Sequence, residues 1–598
     1  MEGTTMKKIY ITLFGAAFCL ASCEMLNTTP QAQISPADYF QTETDLQLFS
    51  NPLYDQFSTD FFENQSDHYI NMNLDRVLKG GDYRAIPASG GGWSWGTLRR
   101  INTLLANSGN CPDSTIVKQY NGLARFFRAY FYFEKVKRFG DVPWISKELE
   151  SNSPELYNGR DSRELVMRHM IEDIDYAIEN LPAKVSTYRV NKWAALALKA
   201  QFCLFEGTFR KYHKPQIQIE DVKDYKYYLD LAAKAAGEII TSGPYSLAPE
   251  YLKLFANVDA DKNEFILAIK QDKALDLLNN STAFATMPTQ GCPGLTKKFV
   301  DSFLMKDGSR FTDKDGWETM QFIQEVADRD PRLECCTVLP GYKRIGGTDV
   351  LAPDYGSTTT GFQICKYVMD CTLPDVSRVD MSYNDLPVYR FGEVLLIYAE
   401  AKAEAGTITD ADIALSINLL RNRAGMPDMP TVATMNANPD VKYLFSAKYG
   451  YQNPILKDDA NFGTILEIRR ERSIELAQEG KRYDDLMRWK EGKCIEQEMY
   501  GPYFPGPGKY DLTGDNKPDI YLYEGDKPSD KDIVLLKIGE VTNGVRLSDG
   551  NKGYVDSQQG LPHSFDENRD YLYPIPTDDR EMNPKLKQNP GWIDGLSF

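Results

Sequence analysis

Between Ile465 and Trp489 the chain reads ILEIRRERSIELAQEGKRYDDLMRW. Glu467, Glu471 and Glu475 recur at every fourth position, so a helix puts them on one face. Two carboxyl groups at the right separation can cleave a glycosidic bond, one as acid and the other as base or nucleophile. Here Arg469, Arg470 and Arg472 are interleaved with them, and Arg482 follows closely. Nearby guanidinium charges keep carboxylates ionised and paired, so this stretch is read as structural ion pairing, not acid–base machinery. The four histidines, His68, His169, His213 and His563, are scattered, and none stands in an H-E-x-x-H context. The chain has no G-x-S-x-G elbow and no Walker loop. No enzyme is expected. A secreted helical glycoside hydrolase stays as the rival reading, and it would need a carboxyl pair free of arginine partners.

Two other stretches could bind something. Asp511–Asp519 reads DLTGDNKPD, with Asp511, Asp515 and Asp519 at the first, fifth and ninth positions around a glycine turn. That spacing resembles the alternating ligands of a calcium loop, without the bidentate glutamate of a true EF-hand. A structural Ca2+ and a plain acidic turn with Asx-type hydrogen bonds are both open; no cofactor is required. Ser89–Gly96 reads SGGGWSWG. Indoles on a flexible loop make a platform for the C–H faces of sugars, and Trp93 is the better candidate. Trp95 is read as plugging the start of the next helix. Arg84 and Asn102 lie near enough in sequence to offer polar contacts to hydroxyls.

The elements that carry these residues are mostly helices. Gly122–Trp144 reads GLARFFRAYFYFEKVKRFGDVPW, apolar on nearly every side. Such a helix is buried. Its cations crowd the last turn, where the helix dipole favours them, and Gly140 and Pro143 end it. Further helices are expected at about Pro36–Phe49, Thr97–Asn107, Arg160–Asn180, Asn191–Phe209, Tyr225–Ile240, Gly392–Ala405, Asp410–Ala424, Ile465–Glu479 and Tyr483–Trp489. The small residues of Ala197–Gly207 suit close helix packing. From Tyr245 to Tyr389 turns and aromatics dominate, with Ile266–Ile269 and Phe362–Val368 as short strands. From Glu491 onward the chain is again loop-rich. The expected fold is mostly α: a tetratricopeptide-like helical-hairpin body with long loop-rich insertions and minor short strands.

A net charge of −17 over 598 residues argues against nucleic acid, which needs a basic field, and against lying flat on an anionic membrane. Lys7 and Lys8 precede an apolar run, Ile9–Leu20, too short to span a bilayer. That is a signal peptide, over residues 1–22 if the chain starts at Met1; Met6 offers a second start. Leu20-Ala21-Ser22-Cys23 resembles a bacterial lipobox, which makes Cys23 the acylated first mature residue. Residues 23–35 read as a polar tether. Ten cysteines include Cys19 and Cys23; the remaining eight are too sparse for a disulfide scaffold, and no CxxC pair with partner histidines suggests zinc.

The Gly122–Trp144 stretch resembles the signature helix of the SusD/RagB family, surface lipoproteins that capture glycans for TonB-dependent transporters. Three further stretches support the resemblance: RFGEVLLIYAEAKAEAG at Arg390–Gly406, INLLRNRAGM at Ile417–Met426, and the arginine-rich Ile465–Trp489. The ending NPGW at Asn589–Trp592 does so too. The resemblance implies residues 36–290 and 291–598 packed as one unit. It implies a non-catalytic nutrient-binding lipoprotein on the outer membrane, touching the membrane through its lipid anchor only. Its partners would be a SusC-like TonB-dependent transporter and an oligosaccharide or polysaccharide; a peptide nutrient is the alternative ligand. In the family the glycan site draws on this N-terminal region and on the middle loops. By that analogy Tyr83, Trp317, Tyr342 and Tyr355 join Trp93, Trp95, Arg84 and Asn102 as expected ligand contacts.

Overall fold

The computed structural model describes residues 39–58, 62–183, 186–541 and 543–598. The signal segment, Cys23, the tether and the Ser35-Pro36 helix start fall outside them. The first described helix, α1 (Glu43–Ser50), begins later than the expected Pro36, behind a capping box: Thr42 accepts from the Asp45 N–H, and the Asp45 carboxylate accepts from the Thr42 N–H. It passes into a 3-10 turn over Asn51–Gln56.

α2 (Gly96–Asn107) leads into α3 (Ser114–Phe139), which contains the long apolar stretch. Asp113 caps its start by accepting from the Thr115 and Ile116 N–H groups. Gly140, with φ +73°, closes it by donating to the Val136 carbonyl. Phe126, Phe127, Tyr132 and Phe139 are wholly buried, so the apolar girdle does what its pattern requires. α3 packs along α4 (Arg163–Asn180), and α5 (Lys192–His213) along α6 (Tyr225–Ser242). α7 (Phe391–Ala405) lies against α6 and against α9 (Phe462–Glu475). Helix accounts for 42% and strand for 8% of the structure, which makes the fold mostly α with minor strands. No described helix is long and apolar enough to cross a membrane.

Gly207 is where α5 and α6 come closest: a Cβ there would meet Leu229 Cγ and Cδ2 at 2.7 Å and the Leu229 backbone nitrogen at 3.1 Å. Gly207→Val is therefore expected to lower stability by about 1–3 kcal/mol, measured as a shift of the urea midpoint.

The expected Asp410–Ala424 helix is two. Ser416, at φ −128° and ψ −84°, separates Asp410–Leu415 from α8 (Ile417–Arg423). α9 ends at Glu475 instead of Glu479, and the link to α10 (Arg482–Trp489) turns through Gln478 and Gly480, at φ +62° and +70°. β1 (Phe265–Ile269) pairs antiparallel with β2 (Leu386–Arg390). Phe362–Val368 is not a strand; it holds only isolated bridges from Gln363 to Gly294 and from Ile364 to Thr337. The C-terminal third carries more sheet than its turn-rich sequence suggests. β3 (Tyr503–Phe504) pairs with β8 (Gly553–Tyr554). β4 (Gly508–Tyr510), β5 (Ile520–Tyr523), β6 (Val534–Ile538) and β7 (Gly544–Val545) form a four-stranded sheet in that order, the first pair antiparallel and the others parallel.

Helices and insertions are locked by buried ion pairs. Glu475 meets Arg390 at 2.9 Å and Arg332 at 3.4 Å, and also Arg423. Glu471 meets Arg332 at 2.9 Å and Arg421 at 3.2 Å. Glu467 meets Arg470 at 2.8 Å and Arg310 at 3.1 Å. The carboxylate row is thus structural, as its interleaved arginines imply. The largest core cluster runs from Phe40 to Leu586.

Candidate functional site

Gly316, in the left-handed region at φ +72°, turns the chain into a short 3-10 helix, Trp317–Thr319. This sets the Trp317 indole edge-on to Tyr443 at 5.5 Å and to Tyr449 at 5.4 Å. Those two tyrosines stack on each other at 5.0 Å. Tyr443 is buried and donates to the Lys298 carbonyl, so it anchors the group. Tyr449 is half-buried and donates to Glu318, which also holds Lys448 at 3.1 Å. The Tyr449 hydroxyl holds the Glu318 carboxyl below its ordinary range.

The β3–β8 pair adds a second group of rings. Its register puts Tyr503 opposite Tyr554, with centroids 5.5 Å apart, and Tyr500 stacks flat on Tyr554 at 5.1 Å. Lys297 joins the groups from below: its ammonium lies 5.9 Å from the Trp317 ring and 6.0 Å from the Tyr554 ring. Burial would lower the Lys297 pKa, but Asp301 at 3.2 Å and Glu325 outweigh it and hold it above the ordinary lysine range. The result is a shallow patch of half-buried rings, Trp317, Tyr449, Tyr500, Tyr503 and Tyr554, over a fixed cation, with Glu318 and Lys448 at one edge.

Such a surface offers flat apolar faces and polar edges, the combination that aromatic residues supply where one side of a contact is apolar and the other wet. Two carboxyls, Glu498 and Asp556, stand beside Tyr500, and burial together with Glu498 pushes the Asp556 carboxyl up. Asp301 and Glu325, the carboxyls beneath the patch, are buried and tied to Lys297, and the half-buried Glu318 is held by Tyr449 and Lys448.

Of the residues expected to touch ligand, Trp317 sits in this patch. Tyr355 lies behind it, partly buried with its ring 6.5 Å from Phe504 of β3. Tyr342 is partly buried against the core cluster of the middle insertions. Tyr83 is 53% exposed beneath Lys79, on the turn after Gly80, and the structure brings no second expected ring to it.

The remaining N-terminal candidates require correction. Trp93 is buried, not displayed: Gly90, Gly91 and Gly92 all take positive φ, and the resulting turn presses the indole edge-on to Phe139 at 4.9 Å. Arg138 fixes that loop by donating to the Gly91 carbonyl at 2.8 Å. Trp95 is half-buried against Phe131 and Trp93, in the packing role expected of it. Arg84 is buried, donates to the Asp570 carbonyl at 3.0 Å and lies over the rings of Tyr573 and Trp592. Asn102 is buried and donates to the carbonyls of Ile145 and Lys147. These two brace the backbone and face no open surface.

The acidic loop also differs from a cation site. Asp511 accepts from the N–H groups of Thr513, Gly514 and Asn516, and Asp519 from those of Leu512 and Thr513. Asp515 pairs instead with Lys517 at 3.3 Å. Backbone donors occupy the carboxylates that an ion would need, and among the described residues no three His, Cys, Asp or Glu side chains are grouped to hold a metal. The hydrogen bonds described are those of an Asx-bonded turn. Added calcium or EGTA is therefore expected to leave the melting temperature unchanged in a thermal melt.

Tyr449, Tyr500, Tyr503 and Tyr554 were not legible as site residues. They come from three segments, brought together by the β3–β8 register, the Tyr443 anchor and Lys297.

Comparison with known proteins gives a consistent picture. A family model described as "SusD family" matches residues 264–592, and one described as "Starch-binding associating with outer membrane" matches residues 97–204. The SusD-like protein P2 of Formosa agariphila is 24% identical over 526 residues, covering 83% of this chain and 93% of its own. A SusD-like carbohydrate binding protein of Bacteroides fragilis superposes with a TM-score of 0.66 at 21% identity, covering 92% of this chain and 99% of that one. A second SusD-like protein of that species also gives 0.66, at 20% identity, over 94% of this chain and 100% of that one.

Proposed function

The chain belongs to the SusD family, and we propose that it is a non-catalytic glycan-capture lipoprotein held on the outer membrane by acyl chains on Cys23. In this reading it passes oligosaccharides to a SusC-like TonB-dependent transporter. The observation that carries the binding role is the convergence of Trp317, Tyr449, Tyr500, Tyr503 and Tyr554 on one shallow surface. Ring faces take the C–H faces of sugars, and the polar edge takes hydroxyls. Prepaired rings cost little ordering on binding, which suits weak, rapid capture and release.

The carboxyls held by Lys297 and Lys448 support binding over cleavage, and a search for shorter products tests the remaining pair, Glu498 and Asp556 beside Tyr500. The related carbohydrate binding protein of Bacteroides fragilis supports a sugar over a peptide. A glycan array probed with the chain from residue 24 onward is the test. Retention of a defined oligosaccharide class, without release of shorter products, is expected; retention of none, or steady cleavage, would reject the reading.

A further inference from the structure

A second cleft, of about 240 Å³, shares no lining residue with the ring patch. Segments far apart in sequence build it. The second half of α3 supplies Tyr130 and Lys137, β2 and the start of α7 supply Tyr389 and Glu393, and the link into α10 and its first turn supply Lys481 and Asp484. Leu386, Pro387 and Val388 of β2 add an apolar wall. The volume falls just below the roughly 300–1,000 Å³ of sites for drug-sized ligands, so the cleft suits something smaller.

Its three cations, Lys137, Arg390 and Lys481, are all paired, and the lining carries an excess of carboxylates that includes Glu63, which accepts from the Gly480 and Lys481 N–H groups. Lys137 lies 2.8 Å from Glu134 and 2.7 Å from Asp484, and Lys481 lies 3.1 Å from Glu393. Gln201 donates to Glu393 at 3.2 Å, and Arg390 is held by Glu479 at 2.7 Å. An anionic ligand would have to take a cation from one of these pairs and leave a partly buried carboxylate uncompensated. A neutral polyhydroxylated ligand needs no such exchange: its hydroxyls can donate to the carboxylates and accept from the ammonium groups.

Two buried hydroxyls of the cleft lining, those of Tyr389 and Tyr483, lack a hydrogen-bond partner. Tyr389 is 3% exposed, and its hydroxyl makes no hydrogen bond. A buried unsatisfied hydroxyl is costly in a native protein, and a ligand hydroxyl would satisfy it.

We propose that this cleft is a second saccharide site, separate from the ring patch, which takes a neutral mono- or disaccharide unit through the Tyr389 hydroxyl and the ion-paired rim. It holds the end of a chain or a short product, where the patch holds the face of a longer one.

Saturation-transfer NMR and calorimetry on the full chain, with maltose, cellobiose, lactose and digalacturonate as probes, test it. At least one neutral disaccharide is expected to bind, and digalacturonate is not. Tyr389→Phe is expected to weaken that binding about two- to tenfold, the range for one lost hydrogen bond, while keeping or raising the melting temperature. Val388→Trp, which fills the cleft, is expected to abolish it, and Trp317→Ala to leave it unchanged. Failure of every neutral probe to bind, equal binding of digalacturonate, or binding indifferent to both cleft variants would overturn the proposal. None of these outcomes bears on the ring patch, which Trp317→Ala tests alone.

Discussion

Glu475→Ala is expected to cost the fold about 3–5 kcal/mol, the penalty for removing one partner of a buried charge group. Glu475 is wholly buried and is shared by Arg390, Arg423 and Arg332, which come from β2, α8 and the middle insertion. Without it, three buried guanidinium groups lose a shared partner and are left to Glu264, Glu479, Glu471 and Asp330. Glu475→Gln keeps the shape and loses the charge, so it is expected to cost nearly as much.

The same residue sets a pH dependence. Burial alone would push the Glu475 carboxyl up; the three arginines outweigh burial and hold it at about 2, below the 4.5 of an unfolded glutamate. A carboxyl depressed on folding stabilises the fold above its unfolded pKa, and that contribution fades as pH falls toward the folded value. Glu404, held at about 2 by Lys211 and Arg469 against burial, behaves alike. Each shift corresponds to about 3 kcal/mol at neutral pH. Acid unfolding followed by circular dichroism is expected to be steepest between about pH 4.5 and 2, and Glu475→Ala should flatten it. A variant as stable as the parent would show that the arginines are satisfied elsewhere.

Trp317→Ala is expected to weaken oligosaccharide binding by about 2 kcal/mol or more, roughly thirtyfold, without unfolding the chain. Trp317 is the largest ring of the patch and is only partly buried, so truncation removes contact surface with little loss of core. It also touches Tyr443 and Tyr449, and their stacking at 5.0 Å should keep that side of the patch in place. Tyr554→Ala is the companion: it removes the ring between Tyr500 and Tyr503 and should give a smaller loss. Calorimetry with the oligosaccharide best retained on the array checks both.

The helical body was legible because each helix carries its own evidence. The girdle of α3, the glycine at position 140 and the small residues before Gly207 state burial, termination and close packing within a few turns of chain. The interleaved glutamates and arginines of α9 announce ion pairing, but only Glu467–Arg470 pairs within the helix, and the fold supplies other partners: Arg332, Arg390, Arg421 and Arg423 for the glutamates, Glu404 and Asp485 for Arg469 and Arg472. The C-terminal sheet was not legible, because β4 to β7 are short strands set among turn residues and two of their three pairings are parallel.

The ring patch was harder still. Trp317 was reached only by analogy, and nothing near Tyr449, Tyr500 or Tyr554 in sequence announces that they meet. Trp93 misled for a physical reason: three glycines were read as flexibility, whereas their positive φ values fold the loop tightly onto α3. A glycine run marks backbone freedom, and that freedom serves a sharp turn as readily as a mobile one.

A crystal structure of the chain with its best-retained oligosaccharide tests the capture surface most directly. Intact sugar rings lying over Trp317 and Tyr554, with hydroxyls reaching Glu318 or Lys448, are the predicted result. Sugar seated elsewhere with those rings bare, or a cleaved product in its place, would contradict it.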